Sequence, residues 1–168
     1  MALKELYQKV ADFENGLSAI TRSKMQCQNK CSQCCRVELS VFQVEADLIT
    51  GWFISLSEEQ KTILKTSWLV ASEKGVCSFL KNDSCTIYET RPLICRTQGL
   101  VFKFIQESKE LLDVCPLNEG VLEKIQSKEI LNLDLLNLIL SRIENEDSNG
   151  QVRDRVNLSD LQQKLLHL

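Results

Sequence analysis

A chain of 168 residues is long enough for one domain with a full hydrophobic core and too short for two comfortable ones. Its 20 basic and 23 acidic residues are interspersed and leave a net charge of −3, and 43% of its residues are hydrophobic, which excludes a disordered chain and a surface shaped for unspecific phosphate binding. The first 25 residues lack the continuous apolar segment of a secretory signal, and the richest apolar run, "ILNLDLLNLIL", is interrupted by Asn132, Asp134 and Asn137 and falls short of the roughly 20 residues a membrane helix needs. A single cytoplasmic domain over residues 1–168 is therefore expected, with no membrane and no nucleic-acid partner.

In chain order, residues 3 to 26 place Leu3, Leu6, Tyr7, Val10, Phe13, Leu17 and Ile20 at mostly three- and four-residue steps, which predicts one amphipathic helix leading into a cysteine-rich run. Val41, Val44, Leu48 and Trp52 keep helical spacing in the stretch from Val37 to Ser57, with Ser40 as the N-cap and Gly51 near the end. Ser57, followed three residues on by Gln60, reads as a capping box opening a third helix whose stripe of Ile63, Leu64, Trp68 and Leu69 runs toward Gly75.

"VCSFLKNDSCTIYE" has two β-prone runs around the turn-prone "KNDS", which predicts a small hairpin with Cys77 and Cys85 on its two arms. Pro92 and Pro116 mark turns, and "LVFKFIQ" predicts a half-buried strand. Residues 131 to 146 read as a helix through Leu131, Leu135, Leu138, Ile139 and Arg142, and "ENEDSNGQ" as a polar break. Ser159 then caps a last helix that turns Leu161, Leu165 and Leu166 to the core. The fold expected is mainly α: a small single domain with an irregular cysteine-rich centre containing a short β-hairpin, and helices over 131–168.

Four of the eight cysteines, Cys27, Cys31, Cys34 and Cys35, fall in the nine-residue run "CQNKCSQCC"; the others are Cys77, Cys85, Cys95 and Cys115. Short cysteine loops let successive thiolates converge on one cation, and in a reducing compartment clustered thiols are more often metal-binding or catalytic than disulfide-bonded. The only histidine, His167, is next to last, which excludes mixed cysteine–histidine fingers and a histidine-ligated hydrolase and leaves all-thiolate ligation. All eight cysteines are therefore candidate ligands for zinc, for iron, or for an iron–sulfur cluster. Consecutive side chains diverge in a helix and in a strand, so Cys34 and Cys35 are expected to point apart and serve different roles. Four thiolates around a divalent ion carry excess negative charge, and Arg91 and Arg96 are placed to offset it as guanidinium donors beside the thiolates. Tyr88 and Glu89 read either as a core and a surface residue or as a hydroxyl and a carboxylate that anchor those arginines.

Cys27, Cys31 and Cys34 also keep the spacing found in radical S-adenosylmethionine enzymes. Those enzymes need a partial barrel and a glycine-rich ligand loop, and this chain has six scattered glycines and neither pattern. A four-iron cluster on this segment stays chemically open.

Taken together, "CQNKCSQCCRVELS", "CSFLKNDSCTIYETRPLICR" and the "CP" of Cys115 and Pro116 resemble the YkgJ-like cysteine-cluster family with its CxxCxxCC signature, over roughly residues 27 to 116. The first gap is three residues here and two in the signature. The resemblance implies zinc or iron chelation in a small, mostly bacterial cytoplasmic protein and leaves any reaction unspecified. Flagellin lysine methylases are similar in carrying a comparable cysteine cluster, which supplies an alternative reading as an iron–sulfur redox or methyl-transfer enzyme, although no S-adenosylmethionine site is apparent. A metal-free thiol redox or interaction protein is the third reading.

Overall fold

The computed structural model describes residues 2–28, 30–70 and 73–168. The fold is mainly α. Its elements are α1 (Leu3–Asn15), α2 (Ala19–Lys24), β1 (Ser40–Val41), α3 (Gln43–Ser55), α4 (Glu58–Trp68), β2 (Leu80–Lys81), β3 (Ser84–Cys85), α5 (Leu93–Arg96), β4 (Phe102–Gln106), β5 (Lys109–Asp113), β6 (Leu131–Asn132), α6 (Leu133–Asp147), β7 (Val156–Asn157) and α7 (Leu158–Leu166). Short 3-10 turns lie at Gln33–Cys35, Tyr88–Thr90, Pro116–Val121 and Ser127–Glu129. The chain divides into two compact units, Met1–Gln28 with Leu93–Ile143 and Asn29–Pro92 with Glu144–Leu168. No helix among the described residues is long and apolar enough to cross a membrane.

In the first unit, α1 buries Leu3, Leu6, Tyr7 and Val10. The single helix expected over residues 3 to 26 is two: α1 stops before Gly16, and Ser18 starts α2 by accepting the Thr21 amide on its side chain. The buried Glu129 carboxylate accepts from the Ser18 amide and the Thr21 hydroxyl, so the break is held by donors that a continuous helix would use differently. Ile20 is consequently exposed, while Leu17 packs with Leu100 and Leu131.

The expected strand at β4 is present and is joined by β5, which the charged "KELLD" did not announce. The pair runs antiparallel from Phe102↔Asp113 to Gln106↔Lys109, closed by Glu107 and Ser108 at φ 51 and 63. This is the left-handed two-residue turn that strand twist favours, made without the usual Asn or Gly. β6 pairs parallel to β4 and takes Leu131 and Asn132 out of the expected helix. That pairing fixes where α6 begins and which side turns inward: Leu140 and Ile143 are buried, and the expected Leu135 and Leu138 are exposed.

In the second unit, Ser40 is not a helix cap. It lies in β1, paired antiparallel with β7 at Ser40↔Asn157 and Val41↔Val156, and accepts two hydrogen bonds from the Arg155 guanidinium. The helix starts two residues later, and its buried face is Glu45, Ala46, Ile49 and Phe53 instead of Val44, Leu48 and Trp52; Gly51 lies inside it. The Ser57 box is formed: Gln60 N donates to Ser57 Oγ at 3.2 Å, and Ser57 N to Gln60 Oε1 at 3.0 Å. α4 ends at Trp68, and the continuation expected through Ala71 and Ser72 falls outside the described residues.

Trp68 lies 5.3 Å from both the Phe53 and Phe79 ring centroids, and its indole donates to Thr86 Oγ1 at 2.9 Å. α7 starts after Asn157, two residues earlier than a Ser159 cap would set it, and adds Leu158, Leu161 and Leu165 to this core. Cys77 belongs to the same cluster, and Cys35 and Cys85 pack against it.

Candidate metal centre

Two tethers in the second unit bring the double cysteine to the hairpin. The 3-10 turn Gln33–Cys35 is preceded by buried Ser32, whose hydroxyl donates to Asp83 Oδ1 at 2.7 Å. The carbonyl at the end of that turn, Cys35 C=O, accepts from Cys77 N at 2.8 Å. Asp83 sits at the tip of the β2–β3 hairpin, registered Leu80↔Cys85 and Lys81↔Ser84, with Asn82 and Asp83 at φ 51 and 57. Asn and Asp tolerate left-handed backbone better than other side chains with a Cβ, so "KNDS" makes this tight turn. Cys85 lies on β3 as expected. Cys77 is not on an arm: it precedes β2, and its carbonyl accepts from Leu80 N at 3.0 Å, turning the chain into the hairpin.

The four thiols Cys34, Cys35, Cys77 and Cys85 act on one another electrostatically. The neighbouring Cys34 and Cys35 differ in setting, Cys34 exposed and Cys35 packed on the core, and hydrogen bonding between their thiols shifts both. That hydrogen bond, helped by the Cys34 amide and the Arg91 guanidinium and opposed by partial burial, holds the Cys34 thiol down at about 6. The same bond, then burial, then the neighbouring sulfur charges of Cys34, Cys77 and Cys85, push Cys35 far up. Cys77 and Cys85 are both raised, first by burial. Arg91 attracts charge on Cys34 and Cys85, and its guanidinium lies 4.0 Å from the Tyr88 ring centroid. Cys31 is half-buried in the loop before the turn.

The remaining three cysteines belong to the first unit. Cys95 is half-buried on α5, next to Arg96, whose guanidinium lies 4.2 Å from the Tyr7 ring centroid. Cys115 is half-buried at the start of the Pro116–Val121 turn, and its carbonyl accepts from Asn118 N at 2.7 Å. Cys27 is exposed, yet its sulfur has a built environment: Asn118 Nδ2 donates to it at 3.3 Å, and it lies over Gly99, where a Cβ would stand 2.3 Å from Sγ. Gly99 and Asn118 carried no periodic or motif signal; the hint in the sequence was a polar residue three positions after a cysteine. His167 is exposed at the end of α7.

No disulfide joins any of the eight cysteines. Among the described residues no three Cys, His, Asp or Glu side chains converge tightly enough to hold an ion as they stand. The second unit thus presents a thiol cluster with a compensating guanidinium, and not a closed tetrahedron. Its donor chemistry fits a thiophilic cation: soft sulfur donors at one hairpin, one of them held below the ordinary thiol range, and an arginine to offset the charge.

No curated protein and no solved structure matches the chain. One family model does, over residues 26–116, more than half of the 168 residues and a span that holds all eight cysteines. The chain belongs to the CxxCxxCC family, described as "Putative zinc- or iron-chelating domain", and the family thereby supports a metal ion as its partner.

Proposed function

We propose that this chain is a cysteine-thiolate metal-binding protein of the cytoplasm that holds zinc or iron, with Cys34, Cys35, Cys77 and Cys85 as the nucleus of its ligand set. What carries this reading is the gathering of the double cysteine, Cys77 and Cys85 at one hairpin, through the Cys77 N to Cys35 C=O and Ser32 to Asp83 hydrogen bonds, in a chain of the CxxCxxCC family whose only histidine is next to last. Cys31 is a further candidate ligand in the second unit, with Arg91 as charge compensation; within the first unit Cys27, Cys95 and Cys115 are candidate ligands in their own right, with Arg96 as charge compensation. The chain works as one domain in this reading, with the metal stabilising the irregular segment from residue 27 to 116.

Elemental analysis and a visible spectrum on anaerobically purified protein test it together. Stoichiometric zinc in a colourless protein supports a thiolate zinc centre; stoichiometric iron with broad visible absorbance supports an iron–sulfur cluster. Protein that is metal-free as purified and takes up neither zinc nor cobalt refutes the proposal.

A second reading, a thiol redox protein, has one observation in its favour: an exposed Cys34 sulfur that is anionic at neutral pH and accepts a hydrogen bond from its neighbour. Stoichiometric metal with no thiol reactive toward iodoacetamide in the native protein removes it. A methyl-transfer or redox enzyme built on an iron–sulfur cluster requires the iron outcome.

A further inference from the structure

We infer that Asn118 is the positioning residue for the Cys27 thiolate, holding that sulfur as a preset metal ligand; this rests on the reading that Cys27 is one of the ligands. Asn118 is fully buried, although its work is done on an exposed cysteine. Its side-chain oxygen accepts from Gln26 N at 2.7 Å, and its NH2 group donates to Gly99 C=O at 2.8 Å and to Cys27 Sγ at 3.3 Å. The amide can stand only one way round: flipped, its oxygen would face a carbonyl and a sulfur, and its NH2 would face the Gln26 N–H.

One of its two N–H bonds is therefore aimed at Cys27 before any ion arrives. Its own backbone N–H is spent on Cys115 C=O at 2.7 Å, so the same residue also fixes the chain at a second cysteine. Gly99, at φ +89, leaves the space the sulfur occupies. A donor of this kind favours the thiolate over the thiol and orients its lone pairs, the two things a metal–sulfur bond needs. An ordinary structural asparagine would satisfy buried backbone groups and would not aim a proton at a sulfur.

The test uses the full chain, nitrogen-labelled and loaded with an NMR-active cadmium isotope. One Asn118 side-chain amide proton should show a scalar coupling to cadmium, transmitted through the N–H···S bond and the Cys27–metal bond, and Cys27→Ser should abolish it. Asn118→Asp keeps the shape and the acceptor for Gln26 but loses the donor, and should raise the cadmium dissociation constant about 10- to 100-fold. If cadmium binds with a thiolate chemical shift and Asn118 shows no coupling, the positioning role is wrong while the thiolate reading stands. If the wild-type chain takes up no cadmium, the ligand reading fails and the positioning role with it. The coupling is read on wild-type protein, so its presence or absence is decided whether or not the variant folds.

Discussion

Replacing Gly99 by alanine tests the closest approach in the first unit. An added Cβ would lie 2.3 Å from Cys27 Sγ and 3.3 Å from Asn118 Nδ2, on a backbone at φ +89. The left-handed backbone costs an L-residue roughly 1–2 kcal/mol, and forcing a methyl group into an occupied contact adds about 1–3 kcal/mol. Gly99→Ala should therefore destabilise the protein by about 2–5 kcal/mol.

The two contributions separate in a double-mutant cycle. In Cys27→Ala the sulfur is gone and the nearest atom of residue 27 is its Cβ, 3.6 Å from the added carbon, an ordinary contact. Gly99→Ala in that background should lose the backbone part and the smaller cost of the 3.3 Å approach to Asn118 Nδ2, leaving a coupling between positions 27 and 99 of about 1–3 kcal/mol. Urea unfolding followed by far-UV circular dichroism measures all four variants. A coupling below about 0.5 kcal/mol, the scatter expected of independent sites, would show that Cys27 is not seated on Gly99.

Three further outcomes follow from separate features. Between pH 6 and 9 the metal-free quartet keeps its protons on Cys35, Cys77 and Cys85 but not on Cys34, so loading one zinc ion on all four should release about three protons, rising toward four below pH 6; calorimetry in buffers of different ionisation enthalpy reads this, and release of fewer than about two contradicts the quartet. Glu129 is held down at about 2 chiefly by the Ser18 amide, so its stabilisation of the α2 start is complete above its ordinary value of 4.5 and fades as pH falls toward 2. Glu129→Gln should remove that acid-side dependence from hydrogen exchange at the Ser18–Thr21 turn, and an unchanged pH profile would contradict it. Ser57→Ala removes the α4 cap and should lower stability by about 1 kcal/mol in the same urea experiment; no loss would mean that Gln60 and solvent suffice.

Elements with a local cause were legible in the sequence. The Ser57–Gln60 box opens α4 because both halves lie within four residues of each other, and "KNDS" makes its turn because Asn82 and Asp83 tolerate the backbone it needs. Features with a distant cause were not. Ser18 breaks the first helix with the help of Glu129, more than a hundred residues away, and Ser40 is drawn into a strand by Val156 and Asn157. The inward face of α6 follows from Leu131 and Asn132 pairing with β4. Candidate cysteines could be named from spacing alone, whereas the buried asparagine behind Cys27 could not, because its role is defined by three partners remote in sequence.

The double cysteine shows how environment separates two neighbouring thiols. Divergence of neighbouring side chains is a property of regular helices and strands, and a short turn tethered at Ser32 and at Cys35 C=O is neither. Cys34 is exposed while Cys35 is pressed on the apolar core, and their roles separate accordingly. Cys35, Cys77 and Cys85 all pack with the cluster that contains Phe53, Trp68 and Phe79. A cation bound to them would be seated on that core, and its removal would return three raised, uncharged thiols to contact with aromatic side chains. Both tryptophans, Trp52 and Trp68, belong to the same cluster or pack against it. Chelating the metal should therefore shift tryptophan emission, and Cys77→Ser, at the most buried of the eight cysteines, should reproduce the shift without chelator. Emission unchanged after confirmed metal loss would place the ion elsewhere than on the core thiols.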